Sequence, residues 1–148
     1  MSLTPVFLDT IRSLKKAREL VLKIDREETQ FAAETVLEVK SGFKSPSPDL
    51  HGLRRSLMTD YMTLITDHQT RLSKYFPLGL IVEPEETKKQ LTSEELYMTA
   101  QYLSTVSRAV IYLRQYPELN LSFIEKRLHN YSVTANKLSQ MAHDKQAI

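Results

Sequence analysis

Four histidines, His51, His68, His129 and His143, and the lack of any cysteine decide which chemistries this chain can attempt. A helix-borne metal site needs ligands on one face, as in Glu-x-x-His or His-x-x-x-His, and neither spacing occurs. Without cysteine there are no disulfides, thiolate ligands or thiol nucleophiles, a composition suited to a reducing compartment. Nor do fixed spacings supply an acid–base pair, a hydroxyl with its base, or a glycine loop for phosphate. The expectation is a protein that is not an enzyme, with no metal, cofactor or small-molecule substrate, whose partners are macromolecules.

His68 belongs to the run Leu50, Leu53, Leu57, Tyr61, Leu64, His68, Leu72 and Phe76, the spacing of one helix face. A histidine there is a buried base or ligand, or a partly buried side chain at a bundle edge. With no second ligand in reach, the edge position is expected. His51 lies at the start of the same helix. The segment His51-Gly52-Leu53-Arg54-Arg55-Ser56-Leu57 resembles the phosphoacceptor box of sensor histidine kinases through His51, Leu53, Arg54 and Leu57, with Gly52 replacing the acid and Ser56 the proline. The resemblance implies a phosphotransfer module with His51 as phosphoacceptor, since 148 residues leave no room for an ATP-binding domain. The alternative is an ordinary solvated helix start.

Charge offers another candidate. Lys and Arg number 20 against 18 Asp and Glu, so composition alone does not ask for nucleic acid. In an antiparallel bundle, however, the end of the first helix, the start of the second, the end of the third and the start of the fourth meet at one pole. That pole collects Lys40, Lys44, Arg54, Arg55, Arg108, Arg114, Lys126 and Arg127 with His51 and His129, against Glu38, Asp49, Glu118 and Glu125. It suits a nucleic-acid backbone or an acidic protein segment, unless pairs such as Glu125 with His129 make it an ordinary solvated surface. The seven tyrosines point to protein contact, because an amphipathic ring packs its body and keeps its hydroxyl wet. Tyr97, Tyr102, Tyr112 and Tyr116 flank the stripe of the third helix. With Met98 and Ile111 they form a second apolar face, either an interaction surface or the flank of the core.

Helix signals position these residues. Thr4-Pro5 opens a first helix that reads Phe7, Ile11, Leu14, Ala17, Val21 and Ile24, then Phe31, Thr35 and Val39, until Ser41-Gly42. It spans about 4–40, and its stripe is weakest at Asp25-Arg26-Glu27-Glu28, where the helix bends or beyond which it projects. Ser45-Pro46-Ser47-Pro48 is a loop, because each proline lacks an amide and pushes its predecessor out of the α region. The second helix covers about 48–76. A linker, 77–91, opens with Leu78, Leu80, Ile81 and Val82, expected over one end of the bundle, and turns acidic at Glu83-Pro84-Glu85-Glu86, expected against a basic surface of the chain. Thr92 with Glu95 forms a capping box that opens a third helix, about 92–116. Ser122 with Glu125 reads as a second box before a fourth, about 121–144.

The fourth helix carries Leu121, Ile124, Leu128, Tyr131, Ala135, Leu138 and Ala142, a seam narrow enough for one neighbour to cover. Either the first helix covers it and the bundle closes, or it is a partner surface. Four amphipathic helices give a single all-α domain, an antiparallel helical bundle with a long first helix, with a swapped or partner-completed bundle as the alternative. No run approaches 18 apolar residues and the start lacks a signal sequence, so a soluble intracellular protein, cytoplasmic or nuclear, with no membrane contact is expected. Its expected role is a non-catalytic scaffold or regulatory subunit that associates with a protein partner or with itself.

One stretch carries a family likeness. Arg71-Leu72-Ser73-Lys74-Tyr75-Phe76-Pro77, the acidic linker, and Leu91-Thr92-Ser93-Glu94-Glu95-Leu96 are together similar to the helical domain of GINS replication complex subunits. The resemblance covers about a quarter of the chain, and the family's small β-rich domain has no counterpart, since 118–148 reads as helix. It implies a non-catalytic replication factor that binds other helical subunits and the replicative helicase.

Overall fold

The computed structural model describes residues 5–42, 48–76 and 84–146, and every regular element among them is helical. The order is α1 Pro5–Ser13, α2 Lys15–Lys40, α3 Pro48–Asp67 with a π-helical turn His68–Leu72, α4 Pro84–Gln90, α5 Ser93–Leu113, α6 Ser122–Glu125 and α7 Leu128–Gln146. Four of these are long, α2, α3, α5 and α7, and each lies within one of the four expected segments or runs at most two residues beyond it. The Thr4 cap, the 43–47 loop and the apolar start of the linker lie outside the described residues. Among the described residues, no helix is long and apolar enough to cross a membrane.

The joints differ from expectation. The first helix divides at Leu14, whose amide is shared between the carbonyls of Thr10 (3.2 Å) and Ile11 (3.1 Å), a tightened turn flanked by two buried side chains, Ile11 and Leu14. It runs as one continuous helix through 25–28, where Asp25 and Glu28 pair with Arg108 of α5. The second helix changes to π geometry at its end, where Ser73 N–H reaches His68 C=O at 2.9 Å. The linker contains α4; Glu83 and the side chain of Glu86 from its acidic run lie outside the described residues, and Glu85 pairs with Lys88 of the same helix at 3.8 Å. Lys88 approaches Asp144 at 3.8 Å, and Lys145 of α7 caps the carbonyls of Lys88 and Leu91, the latter at 2.7 Å.

Of the two expected capping boxes, the one at Thr92 forms. Thr92 Oγ1 accepts from Glu95 N–H at 3.0 Å while Glu95 Oε1 accepts from Thr92 N–H at 2.9 Å. At the second site Asn120 does the work, its Oδ1 accepting from the Ser122 hydroxyl at 2.7 Å and from its amide at 3.3 Å, while Glu125 turns away to Arg114 at 2.6 Å. The fourth segment therefore starts as the short α6 and restarts as α7.

α5 is the centre of the fold, touching α1, α2, α3 and α7. It is buried over most of its circumference, with Leu96, Leu103, Val106, Val110 and Leu113 sealed from solvent. Its buried hydroxyls are satisfied locally, Thr99 by the Glu95 carbonyl at 2.8 Å and Ser107 by that of Leu103 at 3.0 Å, so they cost little desolvation. The seam of α7, Tyr131, Ala135, Leu138 and Ala142, is covered by α5 and not by the first helix. Ser93 Oγ to Ala142 C=O at 3.0 Å fixes the register at one end of that pair.

Candidate functional site

His68 lies in the core, not at an edge, with no exposed surface. The π turn ends α3 with His68, Leu72 and then Phe76 facing inward, and α5 and α7 each place one tyrosine beside the imidazole. Nδ1 is 2.8 Å from Tyr102 Oη, Nε2 is 3.1 Å from Tyr131 Oη, and the Tyr131 hydroxyl donates to the Phe76 carbonyl. That last bond fixes the rest. Tyr131 Oη must accept from Nε2–H, which leaves Nδ1 as acceptor for the Tyr102 hydroxyl. Burial, with the Arg127 charge nearby, lowers the His68 pKa to about 4, and burial raises Tyr131 to about 12 and lifts Tyr102 well above the ordinary tyrosine value. All three groups are neutral near pH 7, and the chain Tyr102→His68→Tyr131→Phe76 is complete and closed to solvent. It ties the end of the second helical segment, the middle of α5 and the start of α7 together.

A second polar cluster joins α2 and α3. Glu27 and Asp60, both buried, lie beside exposed Lys23, whose Nζ is 3.6 Å from Glu27 Oε1 and 3.0 Å from Asp60 Oδ2. Ser56 donates to Glu27 Oε1 at 2.8 Å and Lys23 donates to Asp60 Oδ1 at 3.3 Å, while Glu27 Oε2 has no hydrogen-bond partner. Burial raises the Glu27 pKa and Asp60 adds to the rise, against the opposing bond from Ser56. Neither cluster was read as a site in the sequence. The signals were present: two carboxylates on inward faces, and one tyrosine on the seam of the fourth helix opposite a histidine on the stripe of the second.

Several arginines of the expected basic pole are engaged within the chain. Arg108 is held by Asp25 at 2.6 Å and Glu28 at 3.2 Å, and Arg114 by Glu125. Arg127 is half-buried, donating to the Phe123 carbonyl and acting on His68 from inside. Lys44 and the side chain of Asp49 lie outside the described residues, and Lys126 is exposed without an ion pair among them. What remains together is His51, Arg54 and Arg55, which with Tyr116 line one recess of about 370 Å³. Among the described residues no cluster of three or more His, Asp or Glu side chains could hold a metal ion.

The expected tyrosine face is divided. Met98 and Tyr102 are buried and belong to the core, because α5 is surrounded on more sides than a bundle helix with one neighbour per face. Tyr112 and Tyr116 are half-buried, their rings 6.4 Å apart, and Tyr112 also packs on Tyr61 of α3 at 5.1 Å. Tyr97 and Ile111 are half or more exposed, at 49% and 56%. They share a seven-residue repeat with Ser104 that runs along the open side of α5. Beside it, a groove of about 260 Å³ is lined by Asp25 of α2, Gln101, Ser104 and Arg108 of α5, and Asn136 and Ser139 of α7. No family model, curated protein or solved structure matches the chain.

Proposed function

We propose that the protein is a non-catalytic helical subunit that works by docking another protein's amphipathic helix. The observation that carries this reading is the placement of its exposed large apolar side chains. Among the described residues these are Leu22, Val36, Leu37 and Val39 on α2 and Tyr97 and Ile111 on α5, and no other helix contributes. Three of them crowd the last turns of α2, beyond the level at which Ser56 and Asp60 of α3 reach it. Monomers leave such a patch open chiefly where something else covers it. Glu34 and Glu38 flank it, so a partner helix with a basic border complements it.

The contacts between helices support a bundle reading of the long segments. α2 meets α3 through Lys23–Asp60 and Glu27–Ser56, and α3 meets α5 through Arg54–Gln115 and His68–Tyr102, each pair running in opposite directions. The GINS resemblance of 71–77 and 91–96 gives one concrete form of the role, a subunit of a replication assembly. Affinity capture from native extract with the wild type and with a Val36→Asp/Leu37→Asp variant tests the reading. A discrete partner held by the wild type and lost by the variant is expected. Equal recovery by both, or a strictly monomeric protein that captures nothing, overturns it.

A further inference from the structure

Most arginines on the described surface are matched by carboxylates: Arg12 by Glu95, Arg18 by Glu94, Arg71 by Asp67, Arg108 by Asp25 and Glu28, and Arg114 by Glu125. Arg54 and Arg55 pair with no carboxylate among the described residues. Arg54 donates instead to the neutral amide of Gln115 at 2.6 Å, and its own carbonyl accepts from Tyr112 at 3.3 Å, which aligns the first turns of α3 with the end of α5. His51, Arg54, Arg55 and Tyr116 then surround the recess of about 370 Å³, and none of them is acidic. That volume falls within the range of about 300–1,000 Å³ common to ligand sites.

One further feature narrows the ligand. Tyr116 is backed by Tyr112, itself packed on Tyr61, so its ring is held in place where it borders the recess. A braced aromatic ring beside guanidinium groups is the pairing that takes an unstacked base together with its phosphate. An acidic peptide would satisfy the arginines and leave the ring unused, and a duplex offers no free base face.

We propose that this recess binds a nucleotide unit of single-stranded nucleic acid, the phosphate on Arg54 and Arg55 and the base against Tyr116. This site is separate from the α2 patch, and either can fail without the other.

Fluorescence anisotropy with a labelled oligothymidylate of about 12 nucleotides, titrated from about 50 mM salt upward, tests it. The wild type is expected to bind saturably and more weakly as salt rises. Arg54→Ala/Arg55→Ala lowers the slope of log affinity against log salt by about 0.7, the value for the one phosphate they hold. Tyr116→Ala weakens binding about 5- to 150-fold, and Tyr116→Leu, which keeps apolar bulk behind the recess, weakens it as well. Arg26→Ala, an exposed change on α2, leaves the affinity unchanged. Absence of saturable binding overturns the proposal. So does equal loss in Arg26→Ala, undiminished binding by folded Tyr116→Leu, or equally effective competition by inorganic polyphosphate, which carries charge without bases.

Discussion

α5 and α2 are both long helices with an apolar stripe, yet the protein treats them in opposite ways. Of the 21 residues of α5, 13 are buried, whereas α2 has 26 residues and buries three, Val21, Ile24 and Glu27. The difference comes from neighbours, not from helix propensity. α5 is enclosed by α1, α2, α3 and α7, and residues such as Ala100, Thr99, Ala109 and Ser107 are small enough for those helices to approach from several sides. α2 rests on α3 and α5 along one side only, and its last turns have Val36, Leu37 and Val39 facing outward. One helix supplies the stability that lets the other offer a surface.

The sharpest way to break that contrast is to remove the same group from each helix. Leu103 of α5 has no exposed surface and Leu37 of α2 is 61% exposed. Leu103→Ala is expected to cost about 2–5 kcal/mol of unfolding free energy, from lost burial and the cavity left behind. Leu37→Ala is expected to stay within about 0.5 kcal/mol. Urea denaturation of both variants measures the two together. Similar losses would mean that α2 is covered in solution and that the two helices are not different in kind.

Acid probes the same core by another route. The folded-state pKa of His68 is about 4, below the ordinary histidine value near 6.5, so between these values the unfolded chain binds the extra proton. Stability from this group is therefore full above about pH 6.5 and falls as pH drops toward 4, by about 3 kcal/mol in total. His68→Leu removes that dependence. It also strands the Tyr102 hydroxyl, at about 1–3 kcal/mol, and Tyr102→Phe in the same background recovers part of the loss. Thermal melts from pH 7 to pH 4 on the three proteins read both effects. An unchanged acid slope in His68→Leu would place the buried proton elsewhere.

Much of the α5 side was legible in the sequence, and less of the α2 side. The Thr92–Glu95 box fixed the start of α5 because its two hydrogen bonds are local, and the seam on α7 was visible as spacing alone. What spacing does not encode is which helix covers which. The seam of α7 meets α5, and Tyr102, which spacing leaves open as surface or core flank, is an interior partner of His68. At the pole, Arg108 and Arg114 are paired with carboxylates from α2 and α6, distant in sequence or drawn from a capping role, which local charge counting does not see.

The Glu27–Asp60 pair tests the contact that anchors α2 to α3, with a smaller expected effect. Burial raises the Glu27 pKa, so the folded state holds its proton more tightly than the unfolded chain. The contribution is favourable at low pH and declines as pH rises through the raised value, the opposite sign to His68. Glu27→Gln keeps an acceptor for Ser56 and brings an amide donor for Asp60. At neutral pH it is expected to stabilise the fold by on the order of 1 kcal/mol, with the gain vanishing toward pH 4. Chemical denaturation at pH 7.5 and 4 compares them, and a loss of stability at the higher pH would show that the carboxyl pair is ionised and held by Lys23.

The smallest effect on stability belongs to the end of α2, and there the contrast between the two helices becomes functional. Val36→Ser, Leu37→Ser and Val39→Ser together replace side chains that are more than half exposed, so unfolding should shift by no more than about 0.5 kcal/mol per site. Amide exchange should be fast over residues 34–40 in the free protein and slow over 96–113, since few buried contacts secure the first segment and nearly all secure the second. Adding the captured partner should slow exchange at 34–40 in the wild type and leave the triple serine variant unchanged. Protection that appears instead along Tyr97, Ser104 and Ile111 would move the docking face from α2 to the open side of α5 while preserving the division between a helix that holds the fold and a surface that meets another protein.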